Sequence, residues 1–408
     1  MTEFVGTRAA GLAAMQMFVS GMGQRYAQGR NYDKGRGHHT DVSMLSPYLR
    51  RRLITEREVV AAAIDAHGHD NASKFIEEVI WRGYYKGWLE RRPQVWDSYF
   101  TGLCADLDSL KRDRRLRRDI ELAQAGQIGL DYFDSWAQEL VATGYLHNHA
   151  RMWFASIWIF TLELPWRLGA DFFYRHLLDG DAAANTLNWR WAAGLHTRGK
   201  PYPATRQNIT TFTNGRFTPA DGELAKVVKG LEASEPEGLP VVQPMRDMRS
   251  AEVGVPTAIL ITDEDCCVED FDLSKLDIAG VATLSCSALR SSLPVSDAVS
   301  AFEHSALKDA AARLRHTTAT LETTDPAGLA EWAKALQAKQ ILTPYVTQGP
   351  LRDWLNAAMP FLAAHDVRLC EQRRDWDTAI WSHATAGFFK VRKQIPRILE
   401  QTLDIAPR

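Results

Sequence analysis

The chain has 408 residues, a formal net charge of −2 and a sequence pI of about 6.6. This length allows two or three domains with cores of their own. The near-neutral charge excludes a global basic field that would attract nucleic acid, though not a local basic patch. The five cysteines show no C-x-x-C spacing, which argues against zinc ribbons, iron–sulfur sites and disulfide frameworks. We therefore expect a protein of the reducing cytoplasm.

The N-terminus lacks the basic region, apolar run and small-residue cleavage site of a secretory signal. The most apolar stretch, MWFASIWIFTLELPW from Met152 to Trp166, is too short to span a bilayer and contains Glu163. We predict a buried core helix there and expect no membrane partner.

Three parts follow one another along the chain. Residues 1–215 are rich in aromatic residues and show mainly helical periodicity. Residues 216–254 are polar, with scattered Pro, Gly and Glu, which predicts a linker with one short helix. Residues 255–408 contain the short apolar runs TAILIT, AGVATLSC, ATLET, KQILTPYV and DVRLCEQ, mostly separated by helical stretches. The fold class expected is an all-helical domain followed by a Rossmann-like, doubly wound α/β domain.

The segment NYDKGRGHHTDVSMLSPYLRRR begins with loop composition and then predicts a helix with Pro47 in or near its first turn. Ser43 and Ser46, with the free N–H groups of a helix start, could hold a phosphate, and Tyr26 and Arg30 lie just upstream. The alternative is a plain helix N-cap, which the spacing alone favours.

The segment KFIEEVIWRGYYKGWLERR predicts a helix with Glu78, Trp81, Arg82 and Tyr85 on one face. An acid, an indole, a guanidinium and a phenol in one stripe resemble a cavity wall that stacks on and hydrogen-bonds a planar ligand. A core stripe with an internal Glu–Arg pair explains the spacing equally well.

In TGYLHNHARMW, Asn148, Arg151 and Met152 also share a helical face. His147 and His149 alternate and so point apart on a helix, and for the other histidine pairs a solvated or core position is the better interpretation. No metal site is therefore expected.

The segment DGDAAANTLNWRWAAG carries more polar and aromatic groups than a core or a solvent face needs. Asp179 or Asp181 could neutralise the arginine of the preceding segment, and Asn185 offers an amide donor and acceptor. Trp189 and Trp191 offer a stacking surface or an electron donor. The four segments together predict a polar, aromatic-lined pocket in a helical bundle.

These segments resemble the photolyase/cryptochrome family. VSMLSPYL is similar to the family's T-S-x-L-S-P-Y-L flavin-diphosphate loop and EVIWR to its E-x-x-W-R pocket helix. HNHARM is similar to H-N-x-x-R-M, and DGDAAANTLNWRW to D-G-D-x-A-x-N-x-x-x-W-x-W. Four motifs in this order are a specific signal, although each alone is weak.

The resemblance implies FAD as the cofactor. Asn185 matches the residue that faces flavin N5, and Arg151 and Asp179 match a salt bridge beside the isoalloxazine. The implied flavin contacts are, besides Asn185, Tyr26, Arg30, Ser43, Met44, Leu45, Ser46, Arg82, Asn148, Arg151, Asp179, Gly180 and Asp181.

The resemblance also implies reactive positions. Glu78, Trp81, Met152 and Trp191 match residues at the mouth that receives a flipped pyrimidine dimer, and with Asn185 they are the implied catalytic residues. Asn148 and Met152 resemble the enzymes that act on cyclobutane dimers.

Trp189 and Trp166 match the inner and middle members of the family's tryptophan relay. No tryptophan stands between Trp96 and Trp136, where the outer member is expected, so another aromatic residue is required for electron exit.

Other departures concern the loop, the DNA-binding face and the domain order. Val42 replaces the usual threonine of the flavin loop, and GLHTRGKPYPATRQNITTFTNGRF stands where the family continues into an F-N-P segment. The α/β part resembles the family's antenna domain but follows the flavin part instead of preceding it, so the chain resembles a permuted and shortened member. The residues do not indicate an antenna chromophore.

Three functions are compatible with these observations. The first is light-driven repair of pyrimidine dimers in single-stranded DNA, with Lys86, Arg91 and Arg92 as phosphate contacts. The second is a cryptochrome-type photoreceptor or redox protein with a protein partner. The third is a vestigial flavoprotein that uses the pocket for a small substrate. The pocket residues favour repair, and the missing F-N-P segment favours the alternatives.

Overall fold

Helices make up the regular structure of the first half of the chain. The computed structural model describes residues 4–403, and residues 4–255 contain no β-strand. The eleven α-helices of this part are α1 Arg8–Phe18, α2 Gln24–Gly29, α3 Ser46–Arg50, α4 Glu56–Glu90, α5 Pro93–Arg112, α6 Arg114–Ala125, α7 Asp131–Thr143, α8 Asn148–Ser156, α9 Trp166–His176, α10 Ala182–Ala192 and α11 Arg206–Phe212. The predicted helical character is confirmed.

Strands and helices alternate after Val255. The elements are β1 Pro256–Thr262, β2 Asp277–Ser285, α12 Asp297–Leu314, β3 Thr318–Glu322, α13 Ala327–Ala335, β4 Gln340–Pro344, α14 Pro350–Ala364, β5 Arg368–Gln372, α15 Asp375–Trp381, α16 Phe388–Arg392 and α17 Ile395–Leu403. Each of the five apolar runs in the sequence forms one of these strands.

The strands form one parallel sheet in the order β3-β2-β1-β4-β5. Ile259 of β1 lies opposite Val281 of β2 on one side and Leu342 of β4 on the other. Helices α12, α13 and α14 lie in the connections that lead to β3, β4 and β5, as parallel pairing requires. The predicted parallel pairing is confirmed. The strand order changes direction at β1, so the carboxyl ends of β1 and β4 meet at the switch point of the sheet.

Apolar side chains of the strands and of the connecting helices pack against one another. Ala258 and Leu260 of β1 belong to a buried cluster that includes Leu329 of α13 and Leu355 of α14. Helix α12 contacts β1 and β2. Because side chains alternate along a strand, β1 is apolar at nearly every position, as expected for a strand between two layers.

The apolar stretch from Met152 to Trp166 is not one helix. Helix α8 ends at Ser156, and a π-helical turn follows it over Ile157–Thr161. The helical conformation is then interrupted until α9 begins at Trp166. Glu163, within the break, has a positive φ of 53°, which a right-handed helix excludes. The prediction of a single core helix is wrong.

Residues 216–254 contain a 3-10 turn at Glu232–Ser234 and no α-helix. The short helix predicted for this segment is thus a single 3-10 turn. This segment is nevertheless attached to its surroundings, because Arg190 Nη1 lies 2.5 Å from Glu235 Oε1.

The described residues form two compact units. The first unit consists of Gln24–Val42 and Arg92–Val242, and the second of residues 4–23, Ser43–Arg91 and residues 243–403. The segment Ser43–Arg91 is therefore compact with the sheet. The assignment of residues 1–215, 216–254 and 255–408 to separate functional domains stays a prediction.

Three consecutive arginines lie in the interior of the second unit. Arg50, Arg51 and Arg52 follow the first residues of α3 and are 2%, 0% and 6% exposed. Charged groups taken out of water need compensating charge, and three adjacent cations need several carboxylates.

Those carboxylates stand immediately after β1. Arg50 Nη2 lies 2.7 Å from Glu264 Oε1, and Arg50 Nη1 donates to the Asp263 carbonyl at 3.0 Å. Arg51 Nε lies 3.7 Å from Asp263 Oδ2. The chain also pairs through its backbone here, because the Cys266 N–H donates to the Arg51 carbonyl at 2.7 Å.

Arg52 has three acidic neighbours. Its Nη2 lies 2.6 Å from Asp377 Oδ1, and its other nitrogens lie 3.3 Å from Asp265 Oδ2 and 3.3 Å from Glu56 Oε2. Burial alone would raise the pKa of Asp265, but the guanidinium groups of Arg374 and Arg52 lower it below its usual value. Arg52 thereby joins α3, α4, α15 and the end of β1.

We predict that Arg52→Met destabilises the second unit. The methionine keeps much of the apolar stem but leaves three buried carboxylates without this cation. Breaking a buried pair costs about 3–5 kcal/mol. Urea unfolding measures the difference, with Arg57→Met as the control, since Arg57 is exposed. Equal losses of stability in the two variants would contradict the role given to Arg52.

Candidate functional site

An ion pair joins α8 to the loop before α10 in the first unit. Arg151 Nη2 lies 3.0 Å from Asp179 Oδ2, and Arg151 Nε donates to the Leu146 carbonyl at 2.8 Å. The Asp179 side chain is 4% exposed and the Arg151 side chain 22%. The ion pair expected from the sequence is present, with a buried carboxylate and a half-buried guanidinium.

The residues after Asp179 start α10. Gly180 lies in the turn between the two acids, and Asp181 Oδ1 accepts a hydrogen bond from the Ala184 N–H at 2.8 Å, which caps the helix. One turn later, Asn185 Nδ2 donates to the Ala170 carbonyl of α9 at 2.8 Å. These bonds fix the orientation of the Asp181 and Asn185 side chains at the positive end of the α10 dipole.

The accessible face of α8 carries the predicted group. Asn148 is exposed, and Arg151 and Met152 are half-buried, while Ala150 and Trp153 on the other face are buried. The helix therefore turns an amide, a guanidinium and a thioether away from its core.

Buried aromatic rings lie against α10. The Trp189 ring is 6.2 Å from Trp158 and 5.2 Å from Phe173, edge-to-face in both cases. A Cβ atom at Gly169 would lie 2.3 Å from Trp189 Cη2, so α9 approaches this ring only because the residue is glycine. Trp158 Nε1 donates to the carbonyl of Pro165, the residue before Trp166, at 3.0 Å.

A second series of rings begins at Trp166. The ring centroids of Trp166 and Tyr99 are 5.6 Å apart, those of Tyr99 and Trp96 are 5.4 Å apart, and those of Trp96 and Phe100 are 6.4 Å apart. Phe100 is 49% exposed, so the series ends near the surface. The Tyr99 hydroxyl is buried and has no hydrogen-bond partner within residues 4–403.

Trp158, Tyr99 and Trp96 were not among the residues expected from the sequence. Trp96 and Tyr99 have an i, i+3 spacing, which places them on one face of α5. That spacing was visible in the sequence, but nothing local indicates that α5 packs against α9.

Tyr26, Arg30 and Trp191 complete the predicted set in the first unit. Tyr26 and Arg30 are half-buried at α2, where the Arg30 N–H donates to the Tyr26 carbonyl at 2.9 Å. The half-buried Trp191 ring lies 5.1 Å from the Tyr202 ring. Next to α2, Arg25 and Lys34 both bind Asp41 and line an open cleft of about 500 Å³.

The remaining predicted residues belong to the second unit. Ser43, Met44, Leu45 and Ser46 lead into α3, with Pro47 in its first turn as predicted. Met44 has a positive φ of 52°, and Ser43 Oγ accepts the Leu45 N–H at 3.4 Å. No side chain caps α3, so the plain N-cap interpretation of the two serines is wrong.

Helix α4 carries the second predicted face. Its four members are half-buried, whereas the residues between them are buried, so they do not form the core stripe of the helix: Glu78, Trp81, Arg82 and Tyr85 alternate with Val79, Ile80, Gly83 and Tyr84. Arg82 Nη1 is buried and has no hydrogen-bond partner within the described part of the chain.

Trp81 already has a stacking partner. Its ring lies 3.8 Å from that of Phe388, the first residue of α16, with an interplanar angle of 12°. One face of the indole is therefore covered by the second unit's own core.

The comparisons with known proteins concern the part of the chain that carries these residues. The family model described as the FAD binding domain of DNA photolyase matches residues 75–222. This segment of the chain is therefore similar to the FAD binding domain of DNA photolyase.

Its curated relatives include two bacterial deoxyribodipyrimidine photo-lyases. One from Thermus thermophilus is 33% identical over 202 residues, which cover 47% of this chain and 44% of the relative. That of Streptomyces griseus is 31% identical over 211 residues, which cover 50% of this chain and 42% of the relative. The chain thus spans less than half the length of these photolyases. A solved class III photolyase from Agrobacterium tumefaciens is 24% identical, with a TM-score of 0.43, over 51% of this chain and 43% of that one.

The chemistry of the predicted residues fits an FAD group. The buried Asp179 carboxylate can accept N–H groups, and the Arg82 nitrogen without a partner needs an acceptor such as a flavin or phosphate oxygen. The roles given to the individual site residues stay predictions.

Two of the three phosphate contacts predicted at Lys86, Arg91 and Arg92, around the end of α4, are buried. Lys86 is 4% exposed and its Nζ lies 3.1 Å from Glu264 Oε2, and Arg92 is 6% exposed. Arg91 donates to the carbonyls of Trp381 and Gln243. The prediction that these residues contact DNA is wrong for Lys86 and Arg92, since both are inside the protein.

The histidines have structural surroundings. His39 Nε2 lies 2.7 Å from Glu139 Oε1, and its ring stacks on that of His147 at 5.7 Å. Within residues 4–403, the potential metal ligands that come together are Asp263, Cys286 and Glu303, and none is a histidine. Cys286 Sγ donates to Asp263, whose negative charge the arginines described above already compensate.

No helix among the described residues combines the length and apolar character needed to cross a bilayer. The expected cytoplasmic location stays a prediction.

We predict that stability of the first unit falls below pH 6.5 through His147. This residue is the N-cap of α8, where its Nδ1 accepts the His149 N–H at 3.2 Å, and burial lowers its pKa to about 3. Because the unfolded value is about 6.5, protons bind the unfolded state preferentially. The contribution of His147 to the free energy of unfolding is therefore fully present above pH 6.5 and is lost as the pH falls toward 3. At pH 5 the loss is about 2 kcal/mol.

His147→Asn tests this, since asparagine keeps a capping acceptor but does not titrate. Unfolding free energies at pH 7 and pH 5 should differ less in this variant than in the wild type, again by about 2 kcal/mol. His38→Asn, at an exposed position, serves as the control. An unchanged pH dependence in His147→Asn would contradict the assignment.

Proposed function

We propose that this chain is a flavoprotein of photolyase/cryptochrome type that uses FAD for light-driven electron transfer. The observation that carries the proposal is the Arg151–Asp179 ion pair, within the matched segment, with its guanidinium on an accessible helix face. A buried carboxylate oriented in this way is suited to a planar ligand with N–H donors.

Each unit, taken by itself, offers groups that suit part of an FAD molecule. In the first unit, Asn148, Arg151, Asp179 and Asn185 would surround the ring system, and Tyr26 and Arg30 would contact the cofactor as well. In the second unit, Ser43, Met44, Leu45, Ser46 and Arg82 would bind the more polar part of the molecule. Bound FAD would supply the absorption of blue light and the electron chemistry.

Hydrogen bonds within the protein hold these groups in fixed orientations. Arg151 pairs directly with Asp179, and the Leu146 carbonyl holds Arg151 in place. The bond from Asn185 Nδ2 to the Ala170 carbonyl leaves its amide oxygen directed away from α9. Such fixed dipoles stabilise developing charge without reorganisation.

Electron delivery uses the aromatic rings of the first unit. We assign Trp189 as the residue nearest the ligand, with Trp158 and Trp166 behind it, and Tyr99 and Trp96 as the outer members. An oxidised tyrosine is stabilised by loss of its phenolic proton, and the buried Tyr99 hydroxyl has no acceptor among the described residues. An oxidised Tyr99 would therefore be poorly stabilised, which favours Trp96 as the outer member of the electron-transfer chain.

We expect Trp96→Phe, Trp166→Phe and Trp189→Phe to slow reduction of the bound flavin under blue light by about tenfold or more, equivalent to about 1.4 kcal/mol in the barrier. Each variant should keep its FAD. Trp332→Phe, a half-buried tryptophan of α13, is the control. A wild-type rate in Trp96→Phe would exclude the outer path, and a wild-type rate in Trp189→Phe would exclude the whole assignment.

The reaction proposed for this electron is reversal of cyclobutane dimers in single-stranded DNA. Glu78 would hydrogen-bond the flipped base, and Met152 and Trp191 would contact its faces. Trp81 would stack on the base from the side that Phe388 leaves open. Flipping a base out costs least in a single strand, which favours that substrate. The second candidate is a photoreceptor with a protein partner, which the replacement of the family's F-N-P segment by residues 194–217 favours.

Illumination of the reduced protein with a dimer-containing oligonucleotide tests repair. Restored thymines are expected in the light and not in the dark, with Glu78→Ala about tenfold less active because a charged hydrogen bond to the base is lost. Protein without flavin is the control. Absence of repair with intact flavin photoreduction would favour the photoreceptor.

We assign the sheet and its helices in residues 255–408 to the Rossmann-like, doubly wound α/β domain of the family, placed after the flavin part. The strand order β3-β2-β1-β4-β5 supports this assignment. The antenna chromophore remains unassigned, since no described residue of this sheet indicates one.

A further inference from the structure

A short basic segment lies where α5 ends and α6 begins. Six of the eight residues from Lys111 to Arg118 are basic, five of them arginine. All six side chains are exposed. We name this segment, Lys111–Arg118, the basic turn. It is unusual in a chain whose formal net charge is −2.

The positive charges of the basic turn are unfavourable for the helix that follows it. Helix α6 starts at Arg114 with Asp113 as its N-cap, and its first turn contains no acid but three arginines. The N-terminus of a helix carries partial positive charge, so cations there reduce helix stability. A sequence that keeps several cations at this position gains nothing for the fold from most of them.

One arginine of the basic turn has a structural role. Arg117 donates to the Leu110 carbonyl at 2.8 and 2.7 Å and to the Lys111 carbonyl at 3.1 Å. These carbonyls belong to the last turn of α5, where carbonyl groups have no intrahelical partner. Arg117 therefore caps the C-terminal end of that helix.

The other cations have weak partners or none. Lys111 pairs with Asp108 at 2.7 Å and Arg115 with Asp119 at 3.8 Å, both in solvent, where such pairs contribute little. Arg112, Arg114 and Arg118 form no hydrogen bond or ion pair with the described residues. Arg114 and Arg118 are four positions apart and therefore lie on one face of α6.

We propose that the basic turn binds the phosphate backbone of a nucleic acid, independently of flavin, light or damage. Guanidinium groups bind phosphate oxygens through paired N–H donors, which an arginine-rich surface provides better than lysines. Of the larger apolar residues of α6, Ile120 is buried and Leu116 and Leu122 are half-buried. The helix therefore has no broad exposed apolar face to insert into a lipid surface.

The test is binding of an undamaged, fluorescently labelled DNA duplex in the dark, measured by anisotropy over a series of salt concentrations. The variant replaces Arg112, Arg114 and Arg118 with glutamine. The matched control replaces Lys200, Lys226 and Lys229 with glutamine, which removes the same charge from positions elsewhere in the first unit.

We expect the arginine variant to bind about tenfold more weakly at low salt, and the slope of log K against log salt concentration to fall by about two to three. The lysine control should bind like the wild type. Equal weakening in both variants, or no binding by the wild type, would overturn the proposal. So would equally tight binding of poly-glutamate or of anionic lipid vesicles, since a phosphate-backbone site should prefer the duplex to both. Loss of duplex binding with normal flavin photoreduction leaves the proposed flavin function intact.

Discussion

Buried arginines next to one another impose the main constraint on this structure. Arg50, Arg51 and Arg52 cannot remain charged in the interior without carboxylates, and the second unit supplies them after β1 and on α15. Residues more than 200 positions apart in the chain are thereby held together. One consequence is that Ser43–Ser46, which directly precede these arginines, are fixed in the same compact unit as the parallel sheet rather than with α8 and α10.

The predicted flavin residues likewise fall into two groups, one in each unit. Those of the first unit are oriented by bonds within it, as the Leu146 carbonyl orients Arg151 and the Ala170 carbonyl orients Asn185. Those on α4 form the half-buried side of a helix whose other side is core. Both groups turn polar atoms away from apolar interiors. Pre-organisation of this kind is what a site needs to bind a large cofactor and limit its reorganisation.

Local pattern predicted much of this arrangement. The five apolar runs became the five strands, the i, i+3, i+4 spacing of Glu78, Trp81 and Arg82 identified a real helix face, and the motif residues Arg151 and Asp179 form an ion pair. The failures concern packing between distant segments. Nothing near Trp81 indicated that Phe388 would cover it, and nothing near Lys86 indicated that Glu264 would bury it. The π-helical turn at Ile157–Thr161 was also invisible, because an apolar run looks the same whether its helix continues or breaks.

The central claim is that these residues hold FAD in a form that light can reduce. The most direct measurement is the absorption spectrum of the purified full chain, loaded with FAD and freed of excess by gel filtration, before and after blue light in the presence of a thiol reductant. We expect a stoichiometric flavin spectrum that bleaches on illumination, and loss of bound flavin in Asp179→Ala, where Arg151 loses its partner. A wild-type protein that emerges colourless after loading would contradict it.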